Sequence, residues 1–141
     1  MNILVAIDLS DASQEILNNA KTMALALSAK VWLLHVAEPE PEFVGYRAGP
    51  QSVRDQVAHK FHDERDELQK EVNDFRKSGI DTTALFVQGP TVYVIYRESK
   101  KLEIDIIIVG SHGHGGVYHL VFGSVSEGIL NKSSCPVMVI P

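Results

Sequence analysis

The most apolar stretch of the chain, Ile104 to Val109, runs straight into the pattern Gly110-x2-Gly113-x9-Gly123-Ser124. A buried strand that empties into a glycine-rich loop, with a helix starting near Ser124, restricts the chain to folds in which backbone N–H groups converge on an anion. Glycine is needed there because any Cβ would hold the main chain too far from a phosphate, and because it reaches φ above zero at little cost. With glycine at roughly 7% and Ser plus Thr at roughly 12% of average sequences, a chain of this glycine content shows the spacing by chance about once in 150 cases. Two other phosphate motifs are absent: there is no Gly-x4-Gly-Lys-Ser/Thr, and no Gly-x-Gly-x-x-Gly follows a strand.

Ile3 to Ile7 is a second diagnostic run. It is apolar without alternation, as a strand of a parallel sheet covered on both faces requires. Ser10 and Asp11 then offer N-caps, with Gln14 in capping-box relation to Asp11. Ile16, Leu17, Ala20, Met23, Ala24 and Leu27 share one face of the helix that follows. Val31 to Val36 reads as the second strand. From Val53 a long amphipathic helix carries Val57, Phe61, Leu68, Val72 and Phe75 in its stripe, and Gly79 is placed to end it. Thr82 to Val87 reads as the third strand. Pro90, after Gly89, opens a helix at its first turn. Val92 to Tyr96 has the β-branched and aromatic content of a strand. Val92, Ile95, Ser99 and Leu102 nevertheless share a helical face, and strands three and four need a crossover, so this stretch is expected to be helical. Ile104 to Val109 is the fourth strand, Ser124 to Lys132 a helix, and Val137 to Ile140 the fifth strand.

Ala37 to Ser52 stands apart, with Pro39, Pro41, Pro50, Gly45 and Gly49 interleaved with Glu38, Glu40 and Glu42. Connections of this length are uncommon in compact domains unless functional or mobile, and this one is expected to order partly over a bound ligand. Strands alternating with helices give an α/β doubly wound domain with right-handed crossovers.

Several of these segments form a recognisable series. Ile3-Leu4-Val5-Ala6-Ile7-Asp8 has Ser10 close behind, and Leu34-His35-Val36 ends the second strand. Gly110-Ser111-His112-Gly113 precedes Gly123-Ser124-Val125-Ser126, and Cys135-Pro136-Val137-Met138-Val139-Ile140 closes the chain. In that order, and over nearly all 141 residues, the series resembles the ATP-binding branch of the universal stress protein family. The resemblance implies a five-stranded parallel sheet of order 3-2-1-4-5 with helices on both faces. It implies ATP outside the carboxyl ends of strands one and four, where such sheets bind ligands. It further implies a homodimer paired through Val137 to Ile140, a self-complementary contact that covers an apolar sheet edge.

By the same resemblance, Gly110, Ser111, His112, Gly113, His114, Gly115 and Gly116 would wrap the ribose and phosphates. Ser124, Val125 and Ser126 would line the terminal phosphates, with Gly123 in the same cradle. Ala6 and Val36 would meet the adenine through backbone atoms and small apolar surface. The residues alone leave alternatives. The glycines also suit plain turns, and Ser124 and Ser126 also suit helix caps. Asp8 read alone caps the turn into the first helix, whereas the resemblance implies that it accepts hydrogen bonds from adenosine. His112, His114 and His119 lack a fixed ligand spacing, so Mg²⁺ or Mn²⁺ arriving on the phosphates is favoured over a metal-only site. Many relatives carry Lys or Arg where His114 stands, and a largely neutral histidine offsets phosphate charge less well.

Bulk properties narrow the rest. A chain of 141 residues supports a single domain with its own core. A net charge of −5 argues against a nucleic-acid surface, yet backbone N–H groups still supply local positive potential for ATP. The single cysteine, Cys135, excludes an internal disulfide and fits a reducing compartment, where buried packing is its expected role. No run approaches the roughly 18 apolar residues that cross a bilayer, and Ile3 to Ile7 is too short for a signal peptide, so the cytoplasm is the expected location. No P-loop lysine, arginine finger or positioned general base can be named, which points to an ATP-binding stress-response module with at most slow hydrolysis. A nucleotide hydrolase or adenylyl-transferring enzyme is one alternative. An interaction module with purely structural glycines is the other.

Overall fold

Residues at the strand centres are shielded from water on both sides, and this sets the layers. The computed structural model describes residues 1–37, 51–111 and 124–141, with residues 51–53 described by their backbone alone. Along the chain come β1 (Asn2–Ile7), α1 (Ser13–Leu27), β2 (Lys30–Ala37), α2 (Gln51–Lys77) and β3 (Thr82–Gln88). They are followed by α3 (Thr91–Lys101), β4 (Ile106–Gly110), α4 (Ser124–Lys132) and β5 (Val137–Ile140). The strands form a parallel sheet in the order β3-β2-β1-β4-β5, as the family resemblance implied.

Side-chain alternation splits the core in two. Ile3, Val5, Ile7, Val31, Leu33 and Ile108 point to the face covered by α1 and α2, where they meet Ile16, Leu17, Leu68, Val72 and Phe75. Leu4, Leu34, Ile107 and Val109 point the other way, onto Val94 and Ile95 of α3 and Ile129 of α4. Burying each such side chain contributes about 1.5–3 kcal/mol relative to leaving it in water. The stretch Val92 to Tyr96 is helical, as its shared face required.

Element ends differ from the sequence reading in instructive ways. No capping box starts α1: Ala12 occupies the N-cap position, and the amide of Gln14 reaches Glu71 on α2 instead of the helix start. Ser10 and Asp11 serve through their carbonyls, which accept from the N–H groups of Ser13 and Gln14. Leu27 is exposed, because the helix ends there and Ser28 turns left-handed at φ 49°. α2 begins at Gln51, two residues before the expected Val53, and β2 runs on to Ala37. The rest of the connection expected over Ala37 to Ser52 lies outside the described residues. Pro90 sits at the N-cap of α3, extended at ψ 123°, rather than in the first turn. β4 starts at Ile106, because the Asp105 carboxylate and N–H are tied to the backbone of Asn2. Gly79 ends α2 as expected, at φ 84°, a conformation that a Cβ would strain.

Candidate functional site

β1 lies between β2 and β4, and α1 and α4, which follow β1 and β4, cover opposite faces of the sheet, which makes the carboxyl ends of these two strands a switch point where doubly wound sheets form a ligand crevice. Register brings the ligand candidates to this crevice. Val5 pairs with Ile108 and Ile7 with His35; continuing both ladders sets Asp8 level with Val36 and with Ser111. Ala6 and Val36, both half-buried, pack on the α3/α4 face in one apolar cluster with Val125.

Asp8 closes the turn between β1 and α1. Its Oδ1 accepts from the Ser10 N–H at 3.0 Å, the Ser10 hydroxyl at 2.5 Å and the Ser13 hydroxyl at 3.1 Å. Leu9, held between them, adopts φ 62°, which is uncommon for a side chain of its size. This is the turn-capping role that the residues alone allowed.

Across the crevice the chain is fixed at both described ends of the glycine-rich connection. The Ser111 N–H donates to the Ile140 carbonyl at 2.8 Å. Ser126 is fully buried, and its hydroxyl donates to the Gly110 carbonyl at 2.6 Å, which clamps the first turn of α4 onto the end of β4. Ser124, the first residue of α4, is exposed. An α-helix leaves its first four N–H groups without intrahelical partners, and its dipole favours negative charge at that end. Thus Ala6, Asp8, Val36, Gly110, Ser111, Ser124, Val125 and Ser126 gather at one edge of the sheet. His112, Gly113, His114, Gly115, Gly116 and Gly123 lie outside the described residues. No group of three or more His, Cys, Asp or Glu residues placed to hold a metal ion occurs among the described residues. His59 and His62 are exposed on α2.

One polar cluster at this edge was not foreseen. His35 is 6% exposed, with Nδ1 3.0 Å from the Ile7 carbonyl and Nε2 3.1 Å from Glu64 Oε2 on α2. Its ring centroid lies 5.5 Å from that of Phe86, which in turn meets Phe61 edge-on. Two signals were present in the sequence. His35 is the polar member of an otherwise apolar run, and the α2 stripe of Val57, Phe61, Leu68 and Val72 has a gap that Glu64 fills.

Known proteins agree with this architecture. The model of the Universal stress protein family matches residues 1–141. The chain is similar to the universal stress protein YxiE of Bacillus subtilis, with 26% identity over 143 residues that span 98% of this chain and 97% of the relative. Its fold is similar to that of the universal stress protein UspA from Lactobacillus plantarum, at TM-score 0.88 and 22% identity, over 100% of this chain and 97% of that one. It is also similar to a universal stress protein family protein of Arabidopsis thaliana solved with AMP bound, at TM-score 0.65 and 24% identity, over 99% and 90% of the two chains. No helix among the described residues is long and apolar enough to cross a membrane.

Proposed function

The chain belongs to the universal stress protein family, and from that premise we propose that it is a cytoplasmic, homodimeric stress-response module, a single domain that binds ATP at the crevice between β1 and β4. The observation that carries this reading is the clamp of Ser126 on Gly110. It fixes the N-terminus of α4 at the switch point, where the chain leaves β4 into the glycine-rich sequence. Phosphate oxygens would be met by backbone N–H groups from His112 to Gly116 and from Gly123 to Ser126, and by the exposed Ser124 hydroxyl, while Gly110 and Ser111, whose N–H is held by Ile140, would shape the start of the cradle. Adenine would lie against Ala6 and Val36, with Asp8 accepting from the adenosine. The residues that the structure describes fit such a ligand: small apolar surface on one side, a helix start on the other. AMP in the Arabidopsis relative, with cAMP and dAMP in two further structures of this fold, supports an adenine nucleotide as the class.

Mg²⁺ or Mn²⁺ would arrive on the phosphates, since Mg²⁺ keeps several waters and needs few protein ligands. Rapid turnover is not expected, because phosphoryl transfer depends on positioned bases and cations and the sequence carries no P-loop lysine. To test the reading, the purified protein is denatured and the released small molecules are identified. Adenine nucleotide is the expected result. Its absence, together with no thermal shift on adding ATP, overturns the reading.

The dimer has its own test. β5 forms one edge of the sheet, and Val137, Met138 and Val139 on it are only half-buried. An unpaired apolar edge invites a second strand, and two copies can pair there about a two-fold axis. Val139→Lys is expected to shift sedimentation at micromolar concentration from dimer toward monomer. A wild-type monomer would remove the claim.

A further inference from the structure

The geometry around His35 requires one more proton than its atoms account for. The Ile7 carbonyl only accepts hydrogen bonds, so Nδ1, 3.0 Å away, carries a hydrogen. A neutral imidazole of that tautomer has a bare lone pair at Nε2. Facing it at 3.1 Å is Glu64 Oε2, and an ionised carboxylate likewise only accepts. Two lone pairs do not hold each other in a site where the two side chains are only 8% and 20% exposed. The contact closes when a proton lies between Nε2 and Oε2, and that proton belongs to the pair rather than to either residue.

The position of the pair gives the proton a consequence. The Ile7 carbonyl shares its peptide plane with the N–H of Asp8, so fixing one orients the other. His35 thereby links the end of β1, at the proposed nucleotide edge, to α2 through Glu64. The surroundings are mixed in charge. Lys60 Nζ lies 3.9 Å from Glu64 Oε1, and the Arg65 guanidinium lies 4.7 Å from the Phe86 ring centroid. His59, Asp63 and Glu67, also on α2, line a surface hollow of about 410 Å³ together with Lys60 and Glu64. From β3 the neighbour is the apolar Phe86 ring, and from β1 it is a carbonyl. The hollow gives the Glu64 end of the pair a route for proton exchange with solvent.

We propose that His35 and Glu64 are positioning residues, a proton-held clasp that fixes the end of β1 for the nucleotide and releases it as pH rises. The proposal rests on the nucleotide reading above and adds a regulation to it. The closed clasp holds one proton more than the open one, so proton loss favours the open form. A glutamine at position 64 changes this balance: its amide N–H donates to the bare Nε2 of the same tautomer, so Glu64→Gln closes the clasp with no added proton.

The experiment measures ATP affinity calorimetrically for wild type and Glu64→Gln from about pH 6 to about pH 9. The ¹⁵N shifts of the His35 ring are followed in the wild type over the same range. The wild type is expected to lose about three- to tenfold in affinity as pH rises, the worth of roughly one hydrogen bond. Glu64→Gln is expected to lose less, retaining only the contributions that both proteins share, those of the nucleotide and of the histidines in the glycine-rich sequence. Equal losses in the two proteins overturn the positioning role. A free lone pair on wild-type Nε2 across the whole range overturns the clasp itself, whether or not the variant folds. If neither protein binds ATP at any pH while Nε2 shows its proton at the acid end, the nucleotide reading fails together with the positioning role, and that result is distinct from the other two.

Discussion

The two connections that meet at the crevice are built on opposite plans. Between β1 and α1, Asp8 gathers two hydroxyls and an N–H onto one oxygen, so the polar groups of the turn answer one another. Between β4 and α4, side-chain hydrogen bonding acts at the anchoring end, through Ser126 on Gly110, and the sequence between is dominated by glycine and histidine. A turn that satisfies itself makes a firm wall. A strand end and a helix start pinned to each other, with glycines in the sequence between them, suit the presentation of main-chain donors to a ligand. On this account one side of the site is set by side chains that serve the fold, and the other by backbone that serves the ligand.

The comparison breaks most readily at Asp8. Asp8→Ala removes the acceptor of three hydrogen bonds and is expected to lower stability by about 3 kcal/mol, read from urea unfolding. Asp8→Asn keeps an oxygen at that position and should recover part of the loss. If Asp8→Ala leaves stability unchanged and affects only ATP binding, Asp8 serves the ligand and not the wall. Ser126→Ala removes one buried hydrogen bond, with an expected cost of about 1 kcal/mol. Here the larger effect is expected on ATP affinity, because the start of α4 loses its tie to β4. Loss of stability without loss of affinity would show that the clamp supports only the fold.

The smallest effect should come from the opposite end of the sheet. Glu103 is exposed and left-handed at φ 52°, so Glu103→Gly is expected to stabilise by about 0.5–1 kcal/mol with ATP affinity unchanged. A change in affinity there would mean that global stability, rather than local geometry, governs the site.

The sequence showed the sheet more clearly than the ends of its elements. Uninterrupted apolar runs such as Ile3 to Ile7 must be buried on both faces, and that alone specifies a parallel sheet with helices on each side. Strand order came through the family resemblance and not from periodicity. Ends were less legible because distant partners decide them. Asp105 follows an apolar residue and precedes four more, yet its carboxylate is taken by the N–H of Asn2, more than a hundred residues away in sequence. Ser10 and Asp11 looked like caps, but Asp8 captures the side chains of Ser10 and Ser13, and α1 starts without a side-chain cap. The His35–Glu64 pair was hidden for the same reason: each residue alone is only an interruption in an apolar pattern, and the meaning arises when α2 is laid across the sheet.

Calorimetric titration of ATP into the nucleotide-stripped protein, alongside Gly113→Val, tests the central claim most directly. A β-branched side chain at position 113 would intrude on a phosphate cradle made of backbone. The account predicts saturable binding of about one ATP per chain in the wild type, and its loss in a variant that still melts cooperatively. Binding that survives Gly113→Val unchanged, or a wild type that takes up no ATP, would contradict it.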